Sequence, residues 1–255
     1  MIHRTFINNI RNSGFFISWL VGGISFLFYG LIYVGMPKTN DLAYFDSQRA
    51  FLFQIQTAIV FLQLETLTSS HADSKIFHRE FASASYSAFS YHLAWFVKSA
   101  TYSLLRGVVF TPLVYFLSGL TLSFMQYFIF MTVFCLMDLI GASLSLLLVS
   151  GIQKLETSSV LFTLTNSLAA TSCGYFLRPQ FIQVWFYWLF HSSWFKYGLN
   201  AMYINEFEDE DVLTNIFGVD QLNLFENVII LFIYPIVFNI GAYFSSCWLA
   251  RPRKE

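Results

Sequence analysis

Chemistry in this sequence would have to come from the charged side chains inside its apolar runs. Glu65, Arg106 and Asp138 each interrupt otherwise uncharged stretches. An ionised side chain at a bilayer centre costs about 2.5–3.5 kcal/mol on insertion scales, so such residues are kept by a partner or by a function. Glu65 and Arg106 are candidates for an inter-helix ion pair that fixes helix register; the alternative is that Arg106 snorkels to the membrane surface or pairs elsewhere. Asp138 has no partner evident in the sequence. It either marks a proton or ion path, or is protonated and hydrogen-bonded to a neighbouring helix.

Other chemistries find no footing. His71, His78, His92 and His191 are isolated and lack metal-ligand spacing. The acidic run Glu206–Asp211 lacks the alternation and the glycine of a calcium loop. No G-x-x-x-x-G-K-[ST] occurs, so the sequence holds no backbone cradle for phosphates. No His/Glu/Asp or Cys/His set converges at helical spacing, and the chain is not expected to be an enzyme by itself. Cys135, Cys173 and Cys247 fall in apolar runs and read as small hydrophobes rather than as disulfide partners.

The elements that must carry these residues are membrane helices. Of the 255 residues, 56% are apolar and only 11% charged, against roughly 25% charged in soluble domains, so lipid must cover much of the surface. The expected class is an all-α polytopic membrane protein. Met1–Ser13 is polar and basic without a signal-type core, and no cleavable leader is expected. Span one is Phe15–Val34, followed by a loop over Met36–Gln48 marked by Pro37, Asp41 and Asp46. Span two is Ala50–Leu67, with Gln54, Gln56, Gln63 and Glu65 on a face that meets protein or water. Thr68–Leu93 reads as an amphipathic, interfacial segment. Span three is Ala94–Gly119. From Gly107 to Met137 run 31 uncharged residues, too many for one crossing, so Ser118-Gly119 turns into span four, Thr121–Ser150. Span five is Thr157–Leu177, and span six is Asn227–Ala250 with a kink at Pro235.

Between spans five and six lies Gly174–Phe207. Its Phe181–Phe195 portion is apolar enough to enter a bilayer and too short to cross one, the length of a re-entrant or interfacial element, and it is crowded with Trp and Tyr, which settle at headgroup level. Grouping the termini with Thr68–Lys98 and Gly151–Glu156 collects nine Lys and Arg residues, against Lys38, Arg49, Arg178 and Lys196 on the other side. The positive-inside rule then makes both termini cytoplasmic and turns the aromatic, acidic stretch outward. The membrane concerned is not specified by the sequence. The organisation is a cytoplasmic segment 1–14, a membrane domain 15–250 with a cytoplasmic loop 68–93 and an external loop 178–226, and a tail 251–255.

These residues resemble the membrane domain of G-subfamily (White-type) ABC transporters, within the type-2 ABC permease group. The segment between spans two and three has the family's Arg-Glu pair as Arg79-Glu80, then Ala84 where Gly is usual, Tyr86, and Tyr91. The end of span three reads Tyr115, Phe116, Gly119, Leu120 for the family's Tyr-Phe-x-x-Gly-Leu. The external stretch matches in order: Gly174, Trp185 and Trp188, Tyr197, then Asn205-Glu206-Phe207. The family's Pro before the first Trp is absent, with Gln183 nearby, and so are the external-loop cysteines of many relatives. The ATPase domain that half-transporters of the family carry ahead of the spans has no counterpart in these residues.

The resemblance implies six spans, short re-entrant helices between the last two, and a homo- or heterodimer. Spans two and five of each protomer would line a central cavity, with Gln54, Ala58, Phe61, Thr163, Ser167 and Ala170 as lining candidates. Tyr175 and Phe176 would form the outer gate, and Arg79, Glu80, Tyr86 and Tyr91 the coupling segment. The chain itself would bind no cofactor; ATP and Mg²⁺ would enter through a partner ATP-binding subunit or domain, supplied on another chain or lost from this one. The expected cargo is lipid-like or amphipathic, membrane lipids are the other expected partners, and nucleic acid is not. The competing reading is an inactive relative that serves as a membrane scaffold.

Overall fold

The computed structural model describes residues 13–34, 42–83, 87–121, 123–152, 154–177, 181–207 and 223–249. The chain ends, the first part of the 36–48 connection, Ala84, Tyr86, Arg178 and the acidic run beyond Phe207 lie outside the described residues. Among those described the protein is all-helical, without strands. In chain order, α1 is Ser13–Ile32, α2 Leu42–Phe61, α3 Leu64–Ala82, α4 Ala88–Tyr115, α5 Phe124–Gly151 and α6 Leu155–Thr171. A 3₁₀ turn, Val184–Phe186, leads into α7 (Tyr187–His191); α8 is Trp194–Glu206 and α9 Leu224–Leu249.

The axis of this arrangement is α5. It carries Asp138 and no other charge over 28 residues, and a helix apolar on all sides must be buried in protein or lipid. Here protein does most of the covering: α5 packs against α2, α3, α4, α6, α8 and α9. Gly141 permits one of these close approaches, since a Cβ there would meet Gln63 Cγ at 2.8 Å. By contrast α9 turns Phe225, Ile229, Phe232, Ile233, Ile236, Val237 and Ile240 outward, an apolar face suited to lipid. Three helical stretches, Ala43–Phe81, Phe124–Gly151 and Leu224–Trp248, are long and apolar enough to cross a membrane. α4 has the length, at 28 residues, but buries Lys98 and Arg106 along one side.

Several boundaries differ from the sequence expectation, each for a visible reason. The connection expected to be loop through Gln48 is helical from Leu42. Ser47 Oγ donates back to the Ala43 carbonyl at 2.7 Å, and Gln48 and Arg49 are buried, so tertiary contacts override local turn propensity. Span two does not stop at Leu67. The chain breaks at Leu62-Gln63 and continues as α3 to Ala82, so the first part of the expected interfacial segment is a helical extension. At the break the Gln63 N–H reaches the Val60 carbonyl and the Glu65 N–H the Leu62 carbonyl, the i→i+3 tightening that marks a local hinge in a helix. After Ser83 the next described helix starts at Ala88, where Ser87 Oγ accepts the Ser90 N–H at 3.2 Å as an N-cap.

Span five ends at Thr171 rather than Leu177. Thr171 and Ser172 hydroxyls donate to carbonyls one turn back, and Gly174 takes φ +92°, a left-handed conformation that glycine adopts without a Cβ clash. In the Phe181–Phe195 portion the Trp-rich residues are outside: Trp185 and Trp188 are exposed, whereas α8 is buried at nearly every position from Trp194 to Tyr203.

Candidate functional site

Two groups of side chains bind the helices together at points where the backbone is irregular. The first is a buried charged cluster under the α2–α3 break. Arg106 of α4 places Nη1 3.2 Å from Asp138 of α5 and Nη2 3.5 Å from Glu65 of α3. Ser18 of α1 donates to the same Glu65 carboxylate at 3.2 Å. Asp138 also accepts from Ser103 Oγ at 2.7 Å and from Gln63 Nε2 in a short bond, and Gln63 Oε1 accepts from Thr66 at 2.5 Å. The Gln63 carbonyl takes the Ser145 hydroxyl at 3.2 Å. One guanidinium therefore joins three helices, and the break residue Gln63 is fixed to α5 by both its side chain and its backbone.

Asp138, for which the sequence shows no partner, is thus engaged by Gln63 at the break and by Ser103 and Arg106 of α4. The Arg106 guanidinium, shared between Glu65 and Asp138, is the partner that a buried acidic side chain needs against its desolvation cost. A polar cavity of about 20 Å³ adjoins the cluster, lined also by Ser69, Lys98, Ser99 and Tyr102, a size that holds about one water. Lower on the same side, Lys98 pairs with Asp73 of α3 at 3.3 Å.

The second group sits at the other end of α2. Arg49, buried, donates Nη2 to the Gly174 carbonyl at 3.0 Å and, in a short bond, to that of Tyr175. Its guanidinium carbon lies 5.0 Å from the Tyr175 ring centre, within cation–π range. One turn along α2, Phe53 stacks on Tyr175 (centroids 4.3 Å, planes 4° apart) and meets Phe176 edge-on at 5.3 Å. Those carbonyls follow the end of α6, where helical partners have run out; Arg49 supplies the donors. Nearby, Glu206 at the end of α8 accepts from the Thr121 N–H at 3.0 Å and its hydroxyl at 2.8 Å, tying α8 to the turn before α5.

The other sequence candidates fall as follows. Gln54 is exposed and accepts from Tyr33 at 3.3 Å; Ala58 and Phe61 are half-buried, Thr163 and Ser167 exposed. Ala170 is buried in the core. Tyr175 is half-buried and Phe176 exposed. Arg79 is exposed at the end of α3, with Glu80 half-buried beside it. Tyr91 packs its ring 4.4 Å from that of buried Phe77, joining the ends of α3 and α4. Tyr86 lies outside the described residues. The sequence marks Arg49 only as an external charge and Gln63 only as one polar residue of a helix face; the signal that distinguishes them is a cation and an amide bordering apolar turns.

Comparison with known proteins agrees over most of the chain. Residues 1–207 match the family model described as ABC-2 type transporter. ABC transporter G family member 1 of Petunia hybrida is 25% identical over 230 residues, covering 84% of this chain and 35% of the relative. The broad substrate specificity ATP-binding cassette transporter ABCG2 of Rattus norvegicus is 24% identical over 206 residues, 80% of this chain and 31% of the relative. A probable ATP-dependent permease of Saccharomyces cerevisiae is 24% identical over 270 residues, 98% of this chain and 26% of the relative. The chain thus spans about a third or less of the length of these relatives.

Proposed function

This chain belongs to the ABC-2 type transporter family, and on that premise we propose that it is the permease subunit of an ABC-type exporter moving lipid-like or amphipathic molecules. It is an integral membrane transport domain and not a catalytic one. In this reading six helices cross the membrane with both termini cytoplasmic, two copies or two related chains pair, and α2 and α6 face the pathway. ATP and Mg²⁺ are held by an ATP-binding domain on another chain or elsewhere in the full protein.

The observation that carries the reading is the charged cluster beneath the α2–α3 break. The exposed end of α3, with Arg79, is the surface offered to an ATP-binding partner. A push there arrives at Gln63, which is fixed to Asp138, and at Glu65, which is fixed to Arg106. Two rigid helices joined at a tightened turn are what a rigid-body switch between inward and outward states requires. At the far end of α2, the Arg49–Tyr175–Phe53 contacts would pass the same tilt to Phe176, the outer gate.

Purification of the tagged full chain from native membranes tests the proposal. A co-purifying nucleotide-binding protein, with ATPase activity stimulated by amphipathic compounds and lost in a Glu80→Arg variant, is the expected result. A stable, correctly inserted chain that recruits no nucleotide-binding protein and supports no ATP-dependent efflux would overturn it in favour of a membrane scaffold.

A further inference from the structure

Arg49, Gln56, Gln63 and Ser70 recur at a seven-residue interval, and all four are buried. That spacing keeps them on one face of a helix. Arg49 is engaged by the Gly174 and Tyr175 carbonyls and Gln63 by Asp138, so α2 is fixed near its start and at the break. Gln56, between them, is 0% exposed and has no such tie. Its Oε1 lacks a partner, and its Nε2 meets only the thioether of Met202 on α8, at 3.7 Å. Whichever way the amide is turned, one end is unmet and the other weakly met. Water does not relieve that cost in a membrane core.

α8 runs antiparallel to α2. Phe45 meets Phe207 with ring centroids 5.6 Å apart, and Gln56 meets Gly198 and Met202. Gly198, Met202 and Asn205 recur at helical spacing along one stripe of α8. Gly198 admits the amide, since a Cβ there would overlap Gln56 Nε2. Asn205, next along the stripe, donates to the Gln126 carbonyl at 3.0 Å and leaves its Oδ1 buried without a partner. A donor on α2 without an oxygen acceptor and an acceptor on α8 without a donor thus share one seam. From Met202 to Asn205 the helix rises about 4.5 Å, close to one turn.

We infer that α8 has two registers against α2, and that Gln56 exchanges Met202 for Asn205 when α8 moves one turn toward the Leu62-Gln63 break. Because α2 is fixed at both ends, α8 is the element that moves. One-turn steps of a helix past its neighbour are discrete, because packed side chains hold either position and not the ground between. Met202, unbranched and adaptable, is the side chain that passes the amide. Two further contacts hold the register described here: Glu206 on Thr121 and Ser193 Oγ on the Ala169 carbonyl at 2.6 Å. Both break in the step, which frees the turn before α5 and the end of α6 together, and pairing Gln56 with Asn205 offsets part of their loss. The register change stands apart from the transport proposal; only its use in opening one end of a pathway rests on that reading.

The experiment is hydrogen exchange on the full chain in phosphatidylcholine nanodiscs without any ATPase, so its outcome does not depend on transport. The reporter is the peptide 118–123, whose Thr121 amide is held by Glu206. Gln56→Met keeps the side-chain volume and removes the amide. It should raise the melting temperature, since an unmet buried group is gone, and slow exchange at 118–123 about fivefold, the second register having lost one net hydrogen bond. A short bifunctional thiol crosslink between Phe45→Cys and Phe207→Cys, with Cys135, Cys173 and Cys247 changed to Ala, should slow the same peptide. In the crosslinked chain Gln56→Met should add nothing. Should Gln56→Met fail to give a cooperative melt, the crosslink tests the step with Gln56 intact. Exchange at 118–123 unchanged by Gln56→Met, exchange unchanged by the crosslink, or slowing that adds when the two are combined would each overturn the two registers.

Discussion

Arg106 of α4 and Asp138 of α5 lie 3.2 Å apart with side chains only 6% and 2% exposed, and Glu65 of α3 reaches the same guanidinium at 3.5 Å. The three charges form one unit, which changes the expected outcome of pairwise substitution. Removing one member of a buried pair costs about 3–5 kcal/mol, whereas replacing the set by apolar residues of similar volume is often neutral. Arg106→Met or Asp138→Leu alone should lose most folded protein, read as monodisperse material in detergent. Arg106→Met, Asp138→Leu and Glu65→Leu together should recover it. The simple swap Glu65→Arg with Arg106→Glu should not rescue, because the new carboxylate at 106 would face Asp138.

Arg49 predicts a separable effect at the other end of α2. Hydrogen bonds from a charged group contribute about 1.5–3 kcal/mol, so Arg49→Ala should lower stability by roughly that amount and free the segment after α6. Arg49→Lys keeps the charge without the planar fork and stacking face, and should recover less than half. The direct measure is hydrogen exchange at Cys173–Phe176, faster in both variants, with exchange at Glu65–Phe77 unchanged.

Paired Tyr175→Ala and Phe176→Ala substitution removes two of three rings in the cluster with Phe53. If the chain works as the proposed permease subunit, then in a complex reconstituted with an ATP-binding partner substrate-dependent transport should fall while ATP hydrolysis persists. Full transport by the double variant would remove these residues from the outer gate.

Glu206→Ala leaves the Thr121 N–H and hydroxyl without their shared acceptor. The expected cost is about 1–3 kcal/mol, with faster exchange confined to Ser118–Ser123 and to the end of α8. A variant that exchanges like the parent would show that water replaces the carboxylate freely.

What could be read in advance depended on whether a signal was local. The apolar runs marked α1, α5 and α9 closely, and Gly119, at φ +70°, turned the chain where the long uncharged run required it. The break at Leu62-Gln63 has no Gly or Pro to announce it. It arises from Gly141 and Asp138 on a helix about 75 residues away, a separation set by the Gln63–Asp138 bond. The segment after α6 is held by Arg49, 125 residues earlier than Gly174. The Trp-rich residues drew notice by their hydrophobicity, yet the more polar α8, with Lys196, Asn200 and Asn205, is the buried helix. In a chain with this much apolar surface, hydropathy separates membrane-facing from core residues poorly, because lipid and core are alike in polarity.

The tightened turn at Leu62-Gln63 has a mechanical consequence. With 19 residues rising about 1.5 Å each, α3 is a lever arm of about 28 Å, so a tilt of about 10° at its upper end sweeps the lower end through about 5 Å. The charged triad lies at the fulcrum, where displacement is smallest, and its bonds can therefore persist through a stroke that carries Arg79 past its neighbours.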